Sequence, residues 1–320
     1  MVGPCKQSET PRGLRLAQDT IREVGGDVMK SSREKQTIVD GYVFIAPAFI
    51  IIGVFVIFPA LRLVYLSFYD ANIMGREIFT GFGNFRKLFN SRDFIRSFTV
   101  TLRFMGTVVM FQTILAFIGA LIVQSGKRSS SIIRTIFFIP VIISFVVVGY
   151  LWQGLYNHDY GLINSFITAF GGSRQGFLND PSQALLSLII TCIWKSWPYF
   201  MMIFIAGLNE IPQELYESAQ IDGATPFRQL WNITIPMLRR TILFILLITT
   251  MDSVVKVFTP VFVMTSGGPR GSTDLLVHYA WRMAFRFGDI GYASSVMVIV
   301  FLFLIVIGTI QIKVGEHHES

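Results

Sequence analysis

Lys195 in "CIWKSWPYF", and Asp252 and Lys256 in "TTMDSVVKVF", are ionisable residues inside long apolar runs of this 320-residue sequence. A charge at membrane depth is costly and is kept where it meets an opposite charge or faces a polar cavity. Asp252 and Lys256 stand four residues apart on one helical face, so mutual neutralisation as an i, i+4 pair and a place on a solute path are both open. Lys195 has no acid within helical reach, which points it toward a cavity. Enzyme chemistry finds little material. There is no G-x-S-x-G or H-E-x-x-H arrangement. Cys5 and Cys192 cannot build a disulfide framework or a thiolate metal site, and His158, His278 and the His317–His318 pair are scattered. "GGDVMKSS" carries half of a phosphate loop, but Lys30 lacks the preceding Gly and no strand leads into it, so this chain is not itself a nucleotide hydrolase.

The elements that position these charges are membrane helices. Hydrophobic residues make up 52% of the chain, charged ones 15%, and the mean hydropathy is +0.57. That composition exceeds what a water-soluble domain carries. Six runs are long enough to cross a hydrocarbon core, which takes about 20 helical residues: 42–68, 104–123, 132–156, 184–208, 241–264 and 292–312. No alternating series suggests a barrel. The fold class expected is therefore an all-α integral membrane protein with six transmembrane helices. Residues 1–41 are polar, of mixed sign, and read as a cytoplasmic tail, as do residues 314–320. An excess of Lys and Arg on the side of the tail and of the second and fourth loops puts both termini in the cytoplasm. The pI of about 9.5 is membrane-protein bias; no aromatic-interleaved basic stripe argues for nucleic acid.

The fourth loop, 209–237, is the exception to this pattern. Pro212 suits a helix start, and Gln213 to Ile221 contains good helix formers with Leu215, Tyr216 and Ala219 on one face. Asp222-Gly223 ends it, because Gly takes the left-handed conformation cheaply. Thr225-Pro226 then reads as an N-cap followed by Pro at the first helical position, with Phe227, Leu230 and Trp231 at i, i+3 and i+4, and Pro236 closes the segment. Two short helices joined by a glycine hinge make an amphipathic knob tied to two spans. On pattern alone an interfacial hairpin lying on lipid is the competing reading.

The stretch "ESAQIDGATPFRQLWNITIP" resembles the EAA loop of permease subunits of binding-protein-dependent ABC importers: Glu217, Ala219, Gly223, Ile233 and Pro236 match in place, while Ser218 and Ile235 depart mildly. The likeness extends over roughly residues 42–313 through "GFGNFRKLF", "FFIPVIISFVVVGYLWQGLY" and "VMTSGGPRGSTD". It is similar to the carbohydrate branch, in particular to the first permease of maltose-type transporters. The resemblance implies a type I importer permease domain over 42–313, in the bacterial inner membrane, that pairs with a second, different permease. It implies two ATP-binding partner subunits that hold ATP and Mg, a solute-binding protein and a sugar cargo, with no cofactor in this chain. Glu217, Ser218, Ala219, Asp222, Gly223, Ala224, Ile233 and Pro236 would couple the loop to the ATPase. Lys195, together with Lys256, would line the path and favour an acidic sugar such as an alginate or pectin fragment, with Asp252 a further candidate for the path. Trp194, Trp197 and Tyr199, with Trp152 and Tyr156, would stack on sugar rings or serve only as interfacial anchors. An ion-coupled secondary transporter is the rival; it would be expected to show broken spans in corresponding halves, and none is evident in the sequence.

Overall fold

The computed structural model describes residues 44–125 and 130–316. The expected N-terminal tail, with Cys5 and the half phosphate loop at Lys30, lies outside the described residues, as do His317 and His318. The chain divides into two compact units, residues 1–62 and 63–320.

The first span is an apolar helix, α1 (Phe44–Leu66), with a π-helical stretch at Gly53–Ile57. A short hairpin follows. Its strands β1 (Tyr69–Ala71) and β2 (Glu77–Phe79) pair antiparallel with Tyr69 opposite Phe79. After α2 (Gly83–Asn90) comes α3 (Arg92–Ser125), whose 34 residues give a length of about 51 Å. That exceeds a hydrocarbon core of about 30 Å, so the helix begins a dozen residues before the expected span and carries Arg92 and Arg96 at its free end.

The third expected span is where the structure departs most from the sequence reading. Residues 132–156 do not form one helix but two, α4 (Ser130–Ile142) and α5 (Phe145–Leu155), bent by 96° at the break between them. Pro140 sits near the end of α4, and Ser144 caps α5, its Oγ accepting from Val147 N at 3.3 Å. A prolyl ring together with an N-cap is a stop and a restart within one apolar run.

Two peripheral pieces, α6 (Leu162–Ala169) and a 3-10 turn at Phe177–Asn179, lead to α7 (Ala184–Asn209). This is the central helix. It packs along α3, is mostly buried, and stays continuous through Pro198. The fifth span, Arg239–Met264, is also interrupted: α10 (Arg239–Val255) gives way at Lys256 and Val257 to α11 (Phe258–Met264). Beyond α12 (Leu276–Phe285), the last span α13 (Ile290–Glu316) continues through the start of the expected C-terminal tail.

Three apolar clusters hold residues 63–320 together. One joins Phe104, Tyr156, Leu188, Ile193 and Val261. A second gathers Ala116, Ala120, Phe200, Phe204, Leu238 and Ile245 beside the fourth loop. The third packs Leu88, Phe94, Leu276, Tyr279 and Val296.

Candidate functional site

The fourth loop folds as its punctuation dictates. α8 (Gln213–Ile221) starts one residue after Pro212, which stands at the N-cap rather than inside the first turn. It ends in a Schellman arrangement: Ala224 N donates to Ala219 O at 2.8 Å, and Gly223 N to Gln220 O at 3.1 Å. Gly223 sits at φ +76°, where a β-carbon would meet nothing within 4 Å. Its conformation, and not crowding inside this chain, is what calls for glycine. Thr225 caps α9 (Pro226–Gln229), which runs on through a π-helical stretch at Leu230–Thr234 to a turn at Ile235–Met237. Pro236 lies within that turn and does not close the segment; the chain breaks instead at Leu238, which is buried.

The inner side of this knob is fixed. Tyr216 and Ile233 pack on the cluster of Phe204 and Leu238, and the Tyr216 and Thr234 hydroxyls are 2.9 Å apart. Where the two flanking spans cross, a β-carbon on Gly207 would lie 2.7 Å from Thr241 Oγ1 and 2.9 Å from Leu238 Cδ2. α7 and α10 therefore approach as closely as backbones allow. The outer side is open: Ile221 is 87%, Phe227 71% and Trp231 56% exposed. Glu217, Ser218, Asp222 and Gly223 share that exposure, Glu217 being held by Gln213 Nε2 at 2.9 Å, while Ala219, Ala224 and Ile233 are half-buried. Of the residues expected to act together, Glu217, Ser218, Asp222, Gly223 and Pro236 thus lie on the open side of one element, while Ile233 packs on its inner side.

The charges within the spans are brought together differently from expectation. A narrow cleft with an empty volume of about 360 Å³, part of it open to solvent, is lined by Gln112, Ser196, Thr249, Asp252, Ser253 and Lys256, with Phe104, Phe145 and Cys192 among its apolar walls. Asp252 and Lys256 meet there as an i, i+4 pair at 2.7 Å. Thr249, Asp252 and Ser253 of α10 and Lys256 at its C-cap form one helical stripe, so the polar lining was present in the sequence as i, i+3, i+4, i+7 spacing. Gln112, Ser196, Thr249 and Ser253 are additions that the search for charges passed over.

Lys195 does not line this cleft. It is 7% exposed, and its Nζ donates to Val141 O at 3.1 Å and Pro140 O at 3.4 Å while lying 4.7 Å from the Phe145 ring centroid. Those carbonyls belong to the last turn of α4, where the break removes their helical partners. The ammonium thus answers the negative end of a helix that stops at membrane depth.

The aromatic residues also separate. Trp197 packs edge-on to Phe137 at 5.1 Å between centroids and covers Gly119. Trp194 stacks edge-on to Trp152 at 5.5 Å, and the two tryptophans 194 and 197 line an apolar groove with Phe111 and Leu115 rather than the polar cleft. Tyr156 is buried, its hydroxyl donating to Ser187 O at 3.2 Å. Tyr199 is exposed beside Phe200.

A helical membrane bundle with a sharply broken third span beside a polar cleft, and an amphipathic knob linking two spans at one end, defines a membrane transport subunit. Over residues 112–315 the chain matches the family described as binding-protein-dependent transport system inner membrane component, and it belongs to that family. It is 31% identical over 281 residues to the trehalose/maltose transport system permease protein MalF of Thermococcus litoralis, covering 88% of this chain and 95% of that one. The lactose transport system permease protein LacF of Rhizobium radiobacter is 33% identical over 296 residues, covering 91% and 98%. Among solved structures, a bacterial ABC transporter involved in the import of the acidic polysaccharide alginate superposes with a TM-score of 0.79 at 24% identity, covering 91% of this chain and 99% of that one. At that identity the likeness shows the fold. The type I importer permease expected from the loop motif is thereby the architecture found, and the class is a transport subunit of the inner membrane rather than an enzyme.

Proposed function

We propose that this chain is one of two permease subunits of an ABC importer for sugars or oligosaccharides, moving its cargo by alternating access while partner chains hydrolyse ATP. The observation that carries the reading is the knob α8–α9: anchored inside through Tyr216 and Thr234, open outside at Ile221, Phe227 and Trp231, and set directly between α7 and α10. A push on such an element reaches the spans without a slack linker. In this reading the knob and both termini face the cytoplasm, and two ATP-binding subunits receive the knob and hold ATP and Mg. A solute-binding protein delivers the sugar to the opposite face, and residues 42–313 form the permease domain. The relatives named for maltose and lactose transport support a saccharide cargo.

The cleft of Gln112, Ser196, Thr249 and Ser253 offers hydroxyl and amide partners suited to a hydroxyl-rich solute. An acidic sugar would need an uncommitted cation, and Lys256 is paired with Asp252 while Lys195 is turned to backbone carbonyls. The residues therefore support a saccharide more strongly than a specifically anionic one. A broken span is also what an ion-coupled transporter would display, but there in corresponding positions of two halves, and only the third span is broken by a sharp bend among the described residues; membership of the binding-protein-dependent family favours the importer.

The test is ATP hydrolysis by the reconstituted complex with wild-type chain, Glu217→Lys or Gly223→Asp, with and without loaded binding protein. The expected result is that the ATPase associates with the wild type and that stimulated hydrolysis collapses in the variants. An ATPase that never associates, with variants that change nothing, would return the knob to an interfacial hairpin.

A further inference from the structure

At the far end of α3 from the knob lies a second pocket that the transport reading does not use. It is an open hollow with an empty volume of about 820 Å³, walled by Asp93, Arg96 and Ser97 at the start of α3, by the backbone of Ser266–Gly268 and Gly271, and by Arg270, Asp274, Arg282 and Arg286. α3 fixes its place. Gln124, near the helix's other end, reaches Asn209 at the head of the fourth loop at 3.5 Å. The 28 residues from Arg96 to Gln124 separate pocket and knob by about 42 Å, so they occupy opposite faces of the spans.

The charges in this hollow are unbalanced, with four guanidinium groups against two carboxylates. One carboxylate is consumed below the floor: Asp274 is buried, receives Arg282 Nη2 on one oxygen, and meets His278 Nδ1 at 2.6 Å on the other. The second, Asp93, lies 3.9 Å from Arg96 at the exposed rim. Arg96 also donates to Arg270 O at 3.3 Å, which ties the loop to α3. The Arg270 and Arg286 side chains remain exposed at the mouth, Arg286 lying 5.8 Å from the Trp281 ring centroid. The floor is built for close approach: a β-carbon on Gly267 would come within 2.9 Å of His278 Cε1 and 3.1 Å of Asp274 Oδ1, and Gly271, at φ +75°, lies against Arg96.

We infer that this hollow is the receptor for an acidic side chain of the solute-binding protein, with Arg270 and Arg286 as the receiving groups. The inference rests on the importer reading and names a contact within it. Two features select a carboxylate on a protein over a free acidic sugar. No aromatic or aliphatic side chain lines the hollow, so a pyranose ring has no apolar face to rest on. The hollow also stands on the face away from the knob, where arriving protein meets short loops whose exposed arginines attract acidic surface at long range.

The experiment uses the reconstituted complex and its solute-binding protein, comparing wild type with Arg270→Glu/Arg286→Glu and with Arg270→Lys/Arg286→Lys. The association rate of the binding protein is measured across a salt series, alongside ATPase activity in its absence. In wild type the rate should fall as salt rises. The Glu pair should lower it about tenfold at low salt and flatten the salt series, and the Lys pair should retain most of it. Unstimulated ATPase activity should match wild type in all three, which separates failure of this contact from failure of the importer reading, where no ATPase would assemble. An association rate and salt series unchanged in the Glu pair would overturn the inference. So would digalacturonate binding to wild type without the binding protein that is lost in the Glu pair, because the hollow would then be a sugar site.

Discussion

Replacing Lys195 by Met tests whether this buried cation holds a helix break or recognises cargo. In the structure its Nζ serves Val141 O at 3.1 Å and, more weakly, Pro140 O at 3.4 Å. Hydrogen bonds to a charged donor contribute about 1.5–3 kcal/mol each, and the longer one belongs at or below the low end. The favourable end of the α4 dipole and the Phe145 ring add about 1 kcal/mol together. Against this, Met removes the desolvation cost of a buried ammonium, which offsets a large share. The balance is a loss of about 2 kcal/mol, which for a domain of this size lowers Tm by about 4–8 °C. Thermal denaturation of the detergent-solubilised complex reads it directly. Uptake of digalacturonate and of maltose should fall in parallel, because the break is deformed whatever the cargo. Lys195→Gln, which keeps a donor without the charge, should lie between the two. The reasoning is refuted if the Met variant melts within a degree of wild type while uptake of the acidic sugar alone falls; Lys195 would then belong to the solute path.

The other expectations concern the packing and polar contacts around the same spans. Gly207→Val should cost about 2–3 kcal/mol or prevent assembly, since even a β-carbon there must displace Thr241 or Leu238; yield and Tm of the purified chain measure it. Ser144→Ala removes the cap of α5 and should cost about 1 kcal/mol, seen as a small fall in Tm with transport largely kept. Asp274→Asn leaves Arg282 and His278 facing an amide in a buried setting and should destabilise by about 3 kcal/mol, read by denaturation midpoint. Asp252→Asn frees the Lys256 ammonium in the cleft, and uptake of an anionic sugar relative to a neutral one should rise severalfold; an unchanged ratio would place the pair off the solute path.

Sequence reasoning reached what local chemistry determines. Asp222-Gly223 and Thr225-Pro226 carry their own conformational preferences, so the two helices of the knob and the left-handed hinge were legible residue by residue. The i, i+4 contact of Asp252 with Lys256 follows from helical geometry alone. The bend at Ser144 was signalled by Pro140 and a capping Ser inside one apolar run, but hydropathy averages over such signals, and Pro198 in α7 shows that a proline by itself does not break a span. The partner of Lys195 was not legible, because the carbonyls of Pro140 and Val141 lie more than fifty positions away and become acceptors only once α4 stops. The packing partners of Trp197 and Tyr156 were not legible for a related reason: an aromatic side chain suited to a sugar ring is equally suited to cover Gly119 or to reach Ser187 O.

The two interruptions, at Ser144 and at Lys256, meet on one cleft, since Phe145 and Val257 both stand in its wall. Lipid cannot satisfy the backbone groups that such interruptions release; protein or water must. At the third span the protein supplies that partner itself: Lys195 answers the carbonyls of Pro140 and Val141, so the break is kept only as long as that buried cation is. Losing that cation should let water in among the spans before it unfolds them.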